Sequence, residues 1–315
     1  MDASRERGRV LVVGSINTDL VACTRRLPQA GETVLSDSLA TVAGGKGANQ
    51  AVAAARMGAS VTMIGCVGRD AYGAQRIDEL AAEGIDCAGI EVSDAHPTGL
   101  AMVTVSAAGE NSIVVASGSN GALSPASIHA NEARFRVCDV LVCQLETPPE
   151  TVHAALVIAR RLGKLTMLNP GPATHPLPVD WLGLIDYLVP NEFEASILAG
   201  FSGLAPDASV TAEQAAGRLH RAGARNVVVT LGERGVYVVG DGTAGTHHPA
   251  RKVRAIDTTA AGDTFVGALA GKLAMRAGLM DTLTHAQAAA SICVQRRGAQ
   301  PSIPRLEEVR ACVAA

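Results

Sequence analysis

Short apolar runs alternate with Ala-rich or amphipathic stretches along most of this chain. Residues 10–13 form a β-branched run that ends at Gly14 and reads as a buried first strand. An Ala-rich stretch, 48–57, reads as helix, followed by a strand at 61–65 and a helix at 72–83. Further strand-like runs lie at 139–145, 165–168, 187–189 and 227–231, with helical segments at 150–162, 192–198 and 212–222 between them. A last strand at 253–256 leads into a helix over 262–277. This order predicts an α/β fold, a doubly wound, mostly parallel sheet flanked by helices.

Two segments break the alternation, at about 19–42 and 98–116. In the second, 100–105 and 112–115 flank Ala107-Ala108-Gly109-Glu110, a hairpin pattern with glycine in its turn. These strands predict a small separate β-sheet acting as a lid over the carboxyl ends of the main strands, where open α/β sheets bind ligands. No linker divides the chain, so residues 1–315 read as one domain carrying that lid.

Composition narrows the classes. The chain is 48% hydrophobic and 18% charged, which excludes global disorder and permits a large core. A net charge of −3, no basic stripe and only 3% aromatics argue against a nucleic-acid partner. The start, residues 1–9, is polar with no signal-peptide core, and no apolar run has the length of a membrane span. Seven cysteines without a C-x-x-C pair read mostly as buried free thiols in a reducing cytoplasm.

The chemistry collects at strand ends. Asp257-Thr258-Thr259-Ala260-Ala261-Gly262-Asp263 follows the last predicted strand and opens the last helix. Small residues and free helix-start amides make a site for an anion. A carboxylate at Asp263 would repel a phosphate there unless it takes the proton of an attacking hydroxyl; its plainer role is a stabilising acid in a first helical turn. Asn17 and Asp19 lie two apart, so in extended chain they face the same way and suit the hydroxyls of a polyol. Gly44-Gly45-Lys46-Gly47-Ala48-Asn49-Gln50 opens a helix with Asn49 in its first turn; it is neither a Walker loop nor a dinucleotide fingerprint. Lys46 invites a phosphate role, although a solvated lysine is the plainer reading. Gln144-Leu145-Glu146 ends a strand with an acid. Asn191 and Glu194 can hold Mg²⁺ through water, or simply cap a helix. Thr230, Gly232 and Gly235 end another strand, and 296–302 is a loop rich in carbonyls. His247 and His248 read as solvated loop residues, and no zinc or serine-hydrolase pattern occurs.

In this order the motifs resemble the ribokinase/PfkB family of sugar kinases. Residues 44–57 resemble its N-terminal signature, and 257–267 its more specific C-terminal one. The likeness runs from Gly14 to about Ser302. It implies a ribokinase-like fold and ATP-dependent phosphorylation of D-ribose at the 5-hydroxyl. It also implies dependence on Mg²⁺ and on a monovalent cation, usually K⁺, and a cytoplasmic homodimer formed through the lid. By the same resemblance Asn17, Asp19, Gly45, Lys46, Asn49 and Glu146 belong to the sugar site. Asp263 is the base, with Ala260, Ala261 and Gly262 as the anion hole. Asn191, Glu194, Thr230, Gly232, Gly235 and Gln287 serve the nucleotide and its Mg²⁺. Asp257, Thr259, Cys293, Arg296, Gly298 and Ser302 surround the monovalent cation. Rival expectations are a kinase of the same fold for 2-deoxyribose or a nucleoside, and a non-catalytic sugar sensor. The presence of Asp263 speaks against the sensor.

Overall fold

A computed structural model describes residues 7–200 and 211–314, so most of the polar start lies outside the described residues. The first strands are β1 (Arg9–Val13), β2 (Asn17–Thr24) and β3 (Ser38–Gly44). Helix α1 (Lys46–Arg56), β4 (Ser60–Gly68), α2 (Ala71–Ala82) and β5 (Asp86–Ser93) follow. Next come β6 (Gly99–Ser106), β7 (Asn111–Ala116), α3 (Pro125–Ala130) and α4 (Glu132–Val137). The middle of the chain holds β8 (Val140–Cys143), α5 (Pro149–Arg161), β9 (Leu165–Leu168), α6 (Val179–Leu182) and β10 (Tyr187–Leu188). Then come α7 (Glu192–Leu198), α8 (Ala212–Arg221) and β11 (Asn226–Thr230). The last part comprises β12 (Val236–Gly240), β13 (Thr243–His248), α9 (Ala261–Ala274), α10 (Leu279–Cys293) and α11 (Leu306–Ala314).

The large sheet has the order β13-β12-β11-β10-β9-β8-β1-β4-β5. Pairing from β5 to β11 is parallel, and only β12 runs against its neighbours. β1 shows why both faces are covered. Its side chains alternate, so Val10 and Val12 enter the apolar layer shared with α1, α9 and α10, while Leu11 and Val13 enter the layer shared with α5, α7 and α8. The doubly wound α/β architecture is therefore as the periodicity predicts.

The second sheet has the order β3-β2-β6-β7. β6 and β7 pair antiparallel, Leu100 opposite Ala116, which is the anticipated hairpin. β2 enters this sheet directly after β1, so Asn17 and Asp19 stand where the two sheets meet.

Two expectations are corrected. Residues 253–256 form no strand: Val253 and Ile256 are exposed, and the Ile256 amide donates to Val294 O at 2.7 Å instead of to a ladder. β-branched residues alone do not make a strand without a neighbour to pair with. His247 and His248 lie in β13 and not in a loop. The cysteines are free thiols and most are buried, as expected: Cys66, Cys138, Cys143 and Cys293 are buried, Cys87 and Cys312 half-buried and Cys23 exposed. No described helix is long and apolar enough to cross a membrane.

Candidate active site

Two helix starts meet above the carboxyl end of β1. Helix α9 begins after Ala260, whose φ of 58° is a left-handed conformation rare outside glycine. That turn re-aims the chain so that the Ala261 amide donates to Thr258 O at 3.2 Å and the first helical bond is Thr264 N to Ala260 O at 2.8 Å. The Gly262 and Asp263 amides between them find no acceptor along the helix, as in any first turn. A β-carbon on Gly262 would meet nothing within 4 Å, so the backbone is open to a ligand there.

Asp263 itself is buried and held on both oxygens. Asn49 Nδ2 donates to its Oδ2 at 2.9 Å, and Gln50 Nε2 donates to its Oδ1 at 2.9 Å. Gln50 also donates to Asn169 Oδ1 at 3.0 Å and accepts from Gln144 Nε2 at 2.7 Å. Asn169 is fixed in turn by donating to Val189 O at 2.8 Å. Asp263 is thus the end of a chain of buried amides that links α1, β8, β9 and α9.

The sugar-loop residues gather beside it. Gly45 has φ 91°, and a β-carbon there would press on the backbone of Ser15 and Asn17, so this loop lies against the start of β2. Glu146 Oε2 accepts from Ser15 Oγ at 2.5 Å and from the Lys46 amide at 3.0 Å, tying three segments together. Asn17 Oδ1 accepts from Asn120 Nδ2 at 2.7 Å. Asp19 packs against Gly44, where a β-carbon would collide with its carboxylate. Asp19 Oδ1 and Asn49 Oδ1 are buried acceptors without a partner among the described residues.

The electrostatics is dominated by acid. Burial pushes the Asp19 carboxyl up to about 6, helped by Glu146 and Asp263 and opposed by Arg76. Burial also raises Glu194, against the Asn191 backbone amide that holds it down. The Lys46 ammonium is raised chiefly by Asp263, with Glu146 and Glu194 adding to it. Lys46 is therefore not the solvated lysine of the plainer reading; it is the positive centre of three carboxylates.

The residues expected on the nucleotide side form a second group. Asn191 and Glu194 cap α7 reciprocally: Glu194 N donates to Asn191 Oδ1 at 2.8 Å and Asn191 N to Glu194 Oε2 at 2.9 Å. Thr230 bridges to Asn191 at the end of β11. Gly232 (φ 59°) and Gly235 (φ 97°) make the turn into β12, and Gly235 lies so close to His248 and Ala250 that a side chain would not fit. Gln287 on α10 donates to His248 O and Pro249 O at 3.1 and 3.2 Å, fixing the chain beyond β13.

The third group lies behind α9. Asp257 Oδ1 accepts from Thr259 N at 2.9 Å and Thr259 Oγ1 at 2.6 Å, and Oδ2 accepts from Gly298 N at 2.8 Å. The Cys293 thiol is buried 3.0 Å from Ser302 Oγ and 3.7 Å from Thr259 O. The Arg296 guanidinium pairs with Glu308, and its amide donates to Cys293 O at 3.0 Å. The two loops anticipated to share a cation are thus bonded to each other through Asp257.

A family model for pfkB carbohydrate kinases matches residues 7–306. The chain belongs to the pfkB family of carbohydrate kinases. A ribokinase of Schizosaccharomyces pombe is 42% identical over 310 residues, covering 95% of this chain and 96% of the relative. A deoxyribokinase of Salmonella typhi is 34% identical over 300 residues, covering 95% and 96%. The structure of Arabidopsis thaliana ribokinase complexed with ribose and ATP superposes with a TM-score of 0.90 at 31% identity, covering 98% of this chain and 99% of that one.

In this pfkB kinase the residues missed from sequence are those behind the acid: Gln50, Gln144, Asn169 and Asn120. Gln50 and Gln144 carried a signal, a polar side chain inside an apolar helix or strand end. Asn120 carried none, because it reaches the Ile16 amide from more than a hundred residues away. Gln50→Leu removes the hub of the amide chain and leaves buried partners unpaired at about 1–3 kcal/mol. The expected outcome is a lower denaturant midpoint together with a kcat fall larger than any change in sugar KM; an unchanged kcat would show that Asp263 needs no such support.

Proposed function

We propose that this chain is an ATP-dependent sugar kinase that converts D-ribose to D-ribose 5-phosphate and ADP. The observation that carries the reading is Asp263, a buried carboxylate held by two amides in the first turn of α9 and facing the sugar loop. As the 5-hydroxyl oxygen attacks the γ-phosphorus in line, Asp263 takes its proton and the bond to the β–γ bridging oxygen breaks, releasing ADP. The open amides of Gly262 and Asp263, with Ala260 and Ala261 shaping their turn, stabilise the charge on the transferring group. Lys46 adds a positive charge on the same side.

Asn17, Asp19, Gly45, Asn49 and Glu146 hold the sugar. The unpartnered oxygens of Asp19 and Asn49 are acceptors suited to hydroxyl donors. Asn191, Thr230, Gly232, Gly235 and Gln287 line the nucleotide side. Glu194 fits Mg²⁺: it is a carboxylate beside Lys46 whose Oε1 has no protein donor among the contacts described. Mg²⁺, when bound, neutralises phosphate oxygens. The Asp257 carboxylate, the carbonyls of Thr259, Arg296 and Gly298, and the Ser302 hydroxyl are hard oxygen donors of the kind K⁺ takes, and Cys293 closes that site as a small buried wall. K⁺ bound there supplies order to the loop that precedes α9.

The second sheet serves as a lid that excludes water from the sugar, inserted at about 19–42 and 98–116 in an otherwise single domain. It also fits a homodimer interface. Met102, Ile113 and Val114 are 46%, 53% and 57% exposed, and its outer strands β3 and β7 have free edges. The protein acts in the cytoplasm, consistent with its free thiols.

ADP release from Mg·ATP is expected to depend on D-ribose and to fall by about 10²–10⁴ in Asp263→Asn. Faster turnover on 2-deoxyribose than on ribose would shift the assignment to the other sugar named among its relatives, and no turnover on any sugar would favour the sensor. Turnover is expected to be faster in potassium than in sodium buffer; equal rates would argue against a selective cation site. Sedimentation is expected to give a dimer mass that falls on Val114→Glu, and a monomer mass at all concentrations would remove the lid interface.

A further inference from the structure

Arg76 is an anomaly on α2. Its side chain is only 2% exposed, yet Nε and Nη1 have no partner among the described residues. The one paired nitrogen, Nη2, donates at 3.0 Å to Glu79, which is itself 41% exposed. Arginine cannot shed its charge, so such burial is unfavourable unless an anion lies near. α2 is forced close to the sheet, because Gly73 sits where a β-carbon would collide with Gly68 O and come within 2.9 Å of Thr98 Oγ1. α2 packs against β2, which carries Asp19, and Arg76, one turn further on along α2, is a buried cation acting on that carboxylate. Asp19 Oδ1 is a buried acceptor that also lacks a partner.

We propose that Arg76 is a positioning residue for the sugar site, its guanidinium being the counter-charge that keeps Asp19 ionised as an acceptor for sugar hydroxyls. The proposal rests on the reading of Asp19 as a sugar contact. The charged groups acting on Asp19 are Glu146 beyond β8, Asp263 on α9 and Arg76 on α2. Two of the three are acids, and burial adds to their effect, so Arg76 alone opposes protonation. The carboxyl is raised to about 6, so the charged acceptor is present above that pH and is lost as pH falls through it.

The test is ribose affinity of the full chain, measured by calorimetry from about pH 5.5 to 8.5 for native protein, Arg76→Met, Arg76→Lys and Asp19→Asn, with a thermal melt of each. Native affinity is expected to fall on the acid side near pH 6. In Arg76→Met the fall moves about one pH unit toward alkaline, which weakens binding about fivefold near pH 6 and leaves it nearly equal near pH 8.5. Arg76→Lys keeps the charge and follows the native curve, while Asp19→Asn binds weakly with no acid limb. An Arg76→Met curve that lies on the native one, with or without a lower melting temperature, overturns the proposal. An Asp19→Asn curve that keeps the native limb, or an Arg76→Lys curve displaced to alkaline, does the same even if Arg76→Met does not fold. Ribose binding by native protein with no acid limb sinks the role of Arg76 alone; no ribose binding at all sinks the ribose reading and the proposal with it.

Discussion

A β-carbon on Gly267 would run into the carbonyl of Gln50 and the methyl of Ala53, so α9 and α1 approach more closely than side chains ordinarily allow. Gly47 does the same for α1 and the turn after β1, where a β-carbon would lie 2.6 Å from the Ser15 amide. The first contact sets the distance between α9, whose start carries Asp263, and α1, whose start carries Asn49 and Gln50; the second seats that start of α1 on the turn after β1. The Asn49 and Gln50 amides reach the carboxylate at 2.9 Å only because nothing larger than hydrogen separates the helices. The apolar layer below is rich in Ala for the same reason: Ala51, Ala54, Ala268 and Ala270 pack there with no exposure.

Close packing places many acids in one small volume. Glu146, Glu194 and Asp263 surround Lys46, Asp19 adjoins Glu146 and Asp263, and burial raises Asp19 and Glu194 beyond what their partners hold down. Such a site binds a neutral polyol without adding charge, since hydroxyls donate to the carboxylates. It binds a triphosphate less readily, because two sets of negative groups meet in low dielectric. The open amides at the start of α9 and the Lys46 ammonium answer part of that repulsion, so an anion is least disfavoured at the helix start and a neutral polyol beside the carboxylates.

The large sheet was legible because buried parallel strands give short apolar runs and their helices give 3.6-residue periodicity; 165–168 and 192–198 coincide with β9 and α7 to the residue. β12 and β13 were not, since they extend the sheet by antiparallel addition, and β13 is polar and exposed along most of its length. Residues 253–256 misled in the opposite direction, with strand-like composition and no neighbour. In the site, residues at strand ends and helix starts were readable from chemistry and spacing. Asn120 and Arg76 were not, and Gln50 showed only a polar side chain in an apolar helix and not its partners, because these roles depend on which distant segment the fold brings against them. The solvated reading of Lys46 fails for the same reason, as the sequence does not show that three acids converge on it.

α1 carries this dependence to its far end. Arg56 Nη1 donates to Gln300 O at 2.8 Å and to Ile303 O at 2.7 Å, and its other nitrogens pair with Glu83 at 2.5 and 3.1 Å. The turn it grips contains Ser302, whose hydroxyl meets the Cys293 thiol behind α9. A charge-assisted pair that is mostly shielded from water, with two carbonyls satisfied by the same guanidinium, is worth more than a surface ion pair. One helix therefore holds Asp263 by its first turn and the loop behind Asp263 by its last. A shift of α1 along its axis would disturb both at once, so the geometry of Asp263 and that of the 300–303 turn behind it depend on a single rigid element and not on two independent ones.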